Sequence, residues 1–227
     1  MSGFLYLVAT PIGNYEDITY RATRILKEVD LILIEERSEG IRFLNHLGLA
    51  KQNWLTFNEH NEQSQTPEIL RLLTEGKNVA LISDAGTPVF SDPGGILVKS
   101  AIKAGIKLVP IPGASAVLPA LVASGFPIGR FLFYGWLSPK TEQRVEELRG
   151  LRRETRTIVL LDTPYRLIPL LRDVSAVLGT ARRVVVAFNI SMADEEYFRG
   201  TAGELFERFG KEKRKGEFVL VIKGDEE

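Results

Sequence analysis

The 227-residue chain has no cysteine. That single absence removes disulfide scaffolds, thiolate zinc sites, iron–sulfur clusters and cysteine nucleophiles together. Histidine is scarce as well, with 2 residues, so there is little from which to build an imidazole metal site. Net charge is also missing. The 29 Lys+Arg balance 29 Asp+Glu, so nucleic acid would have to be gripped by a local basic patch rather than by overall charge. Long hydrophobic runs are absent too. The longest, Ala114 to Ala123, is about half of the ~20 residues that a membrane span needs, and Pro119 interrupts it. The opening segment MSGFLYLVATPIG has no basic residue before its apolar stretch. It reads as a first strand rather than a signal peptide, and the cytoplasm is the expected location.

What is present is a globular composition, 44% hydrophobic and 26% charged, far from disorder or coiled coil. The length suits one large domain or two lobes of about 110 residues. In the first half, short β runs alternate with helical patterns. Strands are expected at Phe4 to Ala9, Asp30 to Glu35, Trp54 to Phe57, Asn78 to Ser83 and Lys107 to Ile111. The second of these is so densely apolar that it reads as central and buried on both faces. Ile18, Ala22, Ile25, Leu26 and Val29 make one helical face, with Asp17 as its cap. A helix around Ile41, Leu44 and Leu47 closes at Gly48. Thr66 and Pro67 read as N-cap and first residue of a helix Glu68 to Glu75, and another helix runs from Gly95 to Ala104. Such alternation implies a mainly parallel sheet covered by helices on both faces.

A small-residue helix ending at Ser124 reads as the joint between lobes 1–113 and 114–227. Beyond it, strands are expected at Phe131 to Trp136, Thr157 to Leu161, Val184 to Phe188, Tyr197 to Gly200 and Phe218 to Lys223. Helices are expected over 139–150, 165–178 and 202–209. A hairpin-like element near Glu196 suggests some antiparallel pairing, so the second lobe is read as a mixed α/β sheet.

The segment LISDAGTPVFSDPGG, residues 81–95, follows a buried strand and carries two Asp, three Gly and two Pro. A rigid loop at the carboxyl end of parallel strands is where an open α/β sheet holds its ligand. The plainer alternative is an elaborate turn with Asp92 capping the next helix. The loop is neither a P-loop nor a dinucleotide fingerprint, since no Gly-Lys-Ser/Thr follows and GxGxxG is absent after the first strand. With Asp84 and Asp92 and no cation, it suits a neutral or positively charged ligand better than a polyphosphate.

Six segments then carry a resemblance: VATPIGNYEDIT (8–19), NEHNE (58–62), LISDAGTPVFSDPG (81–94), PIPGASA (110–116), RFLFYGWLSPK (130–140) and GEFVLVI (216–222). In that order, across nearly the whole chain, they resemble the class III, tetrapyrrole-methylase-fold, S-adenosylmethionine-dependent methyltransferases. Within these the chain is most similar to the ribosomal small-subunit RNA cytidine-2′-O-methyltransferase family. The resemblance implies two α/β lobes with S-adenosylmethionine in the cleft between them, in a homodimer that acts on ribosomal RNA or the small subunit. On that mapping Asp84, Ala85, Gly86, Thr87 and Pro88 form the loop beside the sulfonium. Ser115 and Ala116 follow the fifth strand, Pro11 borders the cleft, and Leu161, Asp162 and Asn189 approach from the second lobe. No metal is implied.

A ribose hydroxyl is a poor nucleophile, so a base near it would help. Glu35, Glu36 and His60 are the candidates, against the plainer reading of solvated acids at a strand end. His60 and Glu62 lack a third partner for a metal, and His46 reads as a capping residue at a helix end. Lys211, Lys213, Arg214 and Lys215, and Arg149, Arg152, Arg153 and Arg156, could meet phosphates, although acids are interleaved among them. Departures from the family pattern fall on the acceptor side: Glu35-Glu36-Arg37-Ser38, Leu161 to Arg166 and Ala187 to Met192. The chain also ends five residues after GEFVLVI, where many members continue into a small helical extension. Two alternatives follow, a tetrapyrrole-like or other small-molecule acceptor, and a non-catalytic cofactor- or RNA-binding relative.

Gly86→Val is expected to abolish S-adenosylmethionine binding, because a branched side chain would stand where backbone must approach ligand. Calorimetry reads this directly, and wild-type affinity in the variant would mean that the ligand sits elsewhere.

Overall fold

The computed structural model describes residues 2–225. The chain divides into two compact units, Met1–Ser115 and Ala116–Glu227. The first contains β1 (Phe4–Val8), α1 (Tyr20–Glu28), β2 (Leu31–Ile34), α2 (Arg37–His46), β3 (Trp54–Thr56), α3 (Glu62–Thr74), β4 (Val79–Leu81), α4 (Gly95–Lys103) and β5 (Lys107–Ile111). The second contains α5 (Val117–Ser124), β6 (Phe131–Trp136), α6 (Thr141–Gly150), β7 (Thr157–Asp162), α7 (Leu167–Leu178), β8 (Arg183–Phe188), β9 (Glu196–Thr201), α8 (Ala202–Glu212) and β10 (Phe218–Ile222).

The first sheet is wholly parallel, in the order β3-β2-β4-β1-β5. Strand alternation sends Val8, Ile32, Ile34 and Ala80 to one face, against Ala22, Ile25 and Leu26 of α1 and Phe43 and Leu44 of α2. Leu5, Leu33 and Leu81 go to the other face, against Ile69 and Leu73 of α3 and Leu97 and Ala101 of α4. This two-sided burial is why Leu31–Ile34 carries no polar residue. The middle position belongs to β4 rather than β2, because β4 returns between the first two strands. Adjacent strands β1 and β4 therefore feed helices on opposite faces, and their carboxyl ends form the topological switch point.

Three expected boundaries shift for local reasons. Thr19, not Asp17, caps α1: its hydroxyl oxygen accepts the Ala22 N–H at 3.0 Å, and Asp17 lies in a preceding 3₁₀ turn. Helix α3 begins at Glu62, so Thr66 and Pro67 lie inside it. Pro67, the sixth residue of α3, offers no N–H to the Gln63 carbonyl, and the preceding Thr66 hydroxyl donates to the Glu62 carbonyl at 2.7 Å. Asp92 does not cap α4. Gly94 at φ +124° holds that position, where a Cβ would come within 2.6 Å of Leu81.

The second sheet is mixed, in the order β6-β7-β10-β8-β9. β6 and β7 run parallel, whereas β10 pairs antiparallel with β7 and β8, and β9 antiparallel with β8. Its core packs α6, α7 and α8 on one face. There Phe198 and Phe209 meet edge-to-face at 4.9 Å. Buried within this unit, the Arg144 Nε–H donates to Asp173 at 2.8 Å, and the side chains are only 3% and 6% exposed. The same guanidinium donates to the Ser138 and Pro139 carbonyls. Arg166 adds a bond of 2.9 Å to Ser138. Two arginines thus hold the end of the RFLFYGWLSPK segment, which explains its conformation without any ligand.

Arg144→Met is expected to cost up to about 3 kcal/mol in urea unfolding, because it removes the buried partner of one Asp173 oxygen and leaves only the half-exposed Arg172 on the other.

Candidate functional site

The site is built from chain segments that leave the carboxyl ends of the first sheet. Thr10, just past β1, exchanges backbone hydrogen bonds of 2.8 and 3.1 Å with Gly86. The buried Thr10 hydroxyl also donates to the Ser83 carbonyl at 3.0 Å. This bridge pins the 82–94 loop to the switch point and places Pro11 beside it. Gly86 has φ +89°, and a Cβ there would lie 3.4 Å from Ile12 and 3.8 Å from the Ala114 carbonyl. The Thr87 hydroxyl donates to that same carbonyl at 3.4 Å, so the segment leading to Ser115 lies against the loop. Val89 and Ser91 have φ of 71° and 78°, a region that a branched residue occupies only when its surroundings hold it there.

Acids converge on this loop. Glu35 accepts the Asp84 N–H at 3.3 Å, and Asp84 accepts the Glu36 N–H at 3.1 Å. Asp92, freed from capping, is hydrogen-bonded by the Ser83 side chain. Burial pushes the Glu35 carboxyl above the usual range, with the charges of Asp92, Asp84 and Glu59 adding to it. Burial likewise raises Asp84, helped by Glu36. Asp92 is raised from 3.8 to about 6, by burial first and the Asp84 charge second. Among the described residues, no ion pair reaches Glu35, Asp84 or Asp92. A cluster of carboxylates with no cation of its own fits a cationic organic group.

His60 is not part of this cluster. Its side chain is 85% exposed and reaches only Glu59, at 3.6 Å. Glu62 points inward instead, to the start of α4. Among the described residues, no group of three or more His, Asp or Glu is arranged to hold a metal ion, and no helix is long and apolar enough to cross a membrane. His46 stacks on Tyr15, with ring centres 4.1 Å apart.

In the second unit, Leu161, Asp162 and Asn189 come together because β7 and β8 both flank β10. Phe218 pairs with Asp162 on one side and with Phe188 on the other, and the Asn189 N–H donates to the Glu217 carbonyl at 2.8 Å. Asn189 sits at φ +47°, a conformation that its short amide tolerates. That amide donates to Asp194 at 2.8 Å. Asp162 is buried and its pKa is raised by that burial, against the pull of Arg166 and Arg144. One of its oxygens takes the Thr163 N–H at 2.7 Å and the Arg166 guanidinium at 3.2 Å. The other oxygen is buried without a partner. Sequence reasoning missed Asp92 as a perturbed acid. Its position between two prolines, where no helix starts at once, was the available signal.

A parallel α/β unit followed along the chain by a mixed α/β unit is a fold shared with solved methyltransferases. The uroporphyrin-III C-methyltransferase of Thermus thermophilus, solved with S-adenosyl homocysteine, superposes with a TM-score of 0.65 at 21% identity, covering 97% of each chain. At that identity the likeness is one of fold. The sequence goes further. Residues 4–205 match the Tetrapyrrole (Corrin/Porphyrin) Methylases. Two proteins named Ribosomal RNA small subunit methyltransferase I are similar to nearly the entire chain. That of Thermotoga maritima is 44% identical over 99% of this chain and 100% of its own length, and that of Synechocystis sp. is 43% identical over 98% and 79%. The chain belongs to the tetrapyrrole methylase family, and so to the S-adenosylmethionine-dependent methyltransferases.

A pH effect follows from Asp92. Its folded pKa lies above the ordinary value, so the protonated form favours the fold. That contribution is complete below about pH 4 and is lost as pH rises through about 6. Relative to Asp92→Asn, the wild type is expected to lose stability across that window, as read by urea midpoints at pH 4, 5, 6 and 7.

Proposed function

We propose that this methyltransferase modifies the 2′-hydroxyl of a cytidine ribose in small-subunit (16S) ribosomal RNA, as a cytoplasmic homodimer. One observation carries the choice of acceptor. Relatives over 40% identical across nearly the full chain are named ribosomal RNA small subunit methyltransferases.

The cofactor supplies an activated methyl group and its own leaving group when bound. The chain's task is then to hold, orient and exclude water. Asp84, Ala85, Gly86, Thr87 and Pro88 hold the cofactor's methionine end, with Pro11, Ser115 and Ala116 alongside. In the second unit, one buried oxygen of Asp162, a candidate with Leu161 and Asn189, is left without a partner. The cluster of Glu35, Asp84 and Asp92 favours a cation at the loop of the first unit. Glu35, whose pKa burial raises, is the best placed of Glu35, Glu36 and His60 to accept a hydroxyl proton. Asp92 shares that property.

RNA must be gripped locally. Arg149, Arg156 and Arg214 are paired with Glu146, Glu154 and Glu196. Lys211, Lys213 and Lys215 make no ion pair among the described residues. Lys215 Nζ lies 5.3 Å from the ring of Tyr165, which is 77% exposed. An exposed ring beside Lys215 suits a stacked base and its phosphate.

Deleting the gene should leave one ribose methyl missing from 16S ribosomal RNA by mass mapping. Unchanged methylation, or preference for a small acceptor in a methyl-transfer assay, would reject the RNA reading. Lys213→Ala with Lys215→Ala should weaken RNA binding and flatten its salt dependence by roughly one to two ions.

A further inference from the structure

The Asn58–Glu62 motif contains one acid whose role the proposed chemistry does not use. Glu62 is 8% exposed, and one of its oxygens accepts three backbone N–H groups at the start of α4. These are Gly94 at 3.1 Å, Ile96 at 2.7 Å and Leu97 at 3.3 Å. The helix has no cap of its own there, since Gly94 has no side chain and Asp92 is engaged with Ser83. The carboxylate therefore satisfies the buried N–H groups of Gly94 and Leu97 and the part-buried one of Ile96, and it places negative charge at the positive end of the helix.

The rest of the motif aims that carboxylate. The Glu62 N–H donates to the Asn58 carbonyl at 2.8 Å. The Asn58 N–H donates to the Asn61 side chain at 2.8 Å, and the Asn61 amide donates to the Thr56 carbonyl at 3.0 Å, at the end of β3. The turn is thus tied to the sheet. Only Glu59 and His60 are left pointing to solvent.

The loop that ends at Gly94 needs such an anchor. It carries two non-glycine residues at positive φ, Val89 and Ser91, and such backbone persists only when held from outside. The Thr10–Gly86 bridge holds the loop near its start, and Glu62 holds its end.

We propose that Glu62 is a positioning residue of the cofactor loop: through its cap on α4 it fixes the exit of residues 82–94 and so the geometry of Asp84 to Pro88. This rests on the reading that the loop holds the cofactor, and the test separates the two. The full-length protein is measured as wild type, E62A, E62Q and G86V. Hydrogen exchange is followed in the ligand-free state, and affinity for S-adenosylhomocysteine is measured by calorimetry.

In E62A, amides of residues 84–97 should exchange about tenfold faster or more, while those of β7 and β10 keep their wild-type rates, and Kd should rise about tenfold or more. E62Q keeps an acceptor oxygen and should stay within about threefold of wild type on both measures. Wild-type exchange at 84–97 in E62A would overturn the proposal, as would a uniform increase across both units. Should E62A fail to fold, an E62Q variant with wild-type Kd supports the cap, and one that loses binding with unchanged local exchange refutes it. Faster local exchange with an unchanged Kd also refutes it. In that case G86V tells the two failures apart. Lost binding in G86V leaves the cofactor reading standing, and retained binding removes both.

Discussion

The short antiparallel bridge between Thr10 and Gly86 is the constraint from which the site's geometry follows. β1 and β4 lie side by side, yet the chain leaves them toward opposite faces of the sheet, so their exits would otherwise diverge. Two backbone hydrogen bonds, and a buried threonine hydroxyl on the Ser83 carbonyl, keep them together. With the loop's start pinned, Ser83 meets Asp92, and Asp84 exchanges hydrogen bonds with the Glu35–Glu36 pair. A parallel sheet supplies a crevice at its switch point in any case. This bridge determines what lines it.

The two units treat buried charge in opposite ways. In the second, arginines meet the buried acids and the exposed turns: Arg144 with Asp173, Arg166 with Asp162, and both with the carbonyls of Ser138. The two arginines are spent on structure, although one Asp162 oxygen stays without a partner. In the first unit burial raises the pKa of Glu35, Asp84 and Asp92, neighbouring carboxylates add to it, and among the described residues no ion pair relieves them. That leaves an electrostatic deficit which a cationic ligand would fill, and such a deficit is costly unless it serves binding.

Much of the fold was legible in the chain. Dense apolar runs marked strands such as Leu31–Ile34 and Phe218–Ile222, because burial on a sheet leaves a pattern that local composition carries. The errors arose where the partner was remote. Thr66-Pro67 looks like a helix start, but the turn at Asn58 and Asn61 begins α3 earlier. Asp92 looks like a cap, but a carboxylate more than thirty residues upstream takes that position. Of the candidate bases, Glu35 lies within the acid cluster while His60 stands in solvent, a difference set by which way one short turn faces.

The zero net charge, the missing cysteines and the loop of Asp, Gly and Pro were enough by themselves to exclude metal and redox chemistry of the thiol kind, and to favour a ligand that is not a polyphosphate. Six ordered motifs pointed to the family, because backbone-shaping residues such as Gly86, Gly94 and Pro88 leave their mark one position at a time. Tertiary structure alone decided which polar residues do work at the site and which hold it in place. That distinction depends on burial and on partners far away in the chain. Burial and the Asp84 charge make Asp92 a perturbed acid, while Glu62 caps α4 in its stead, and neither fact is written in the residues around it.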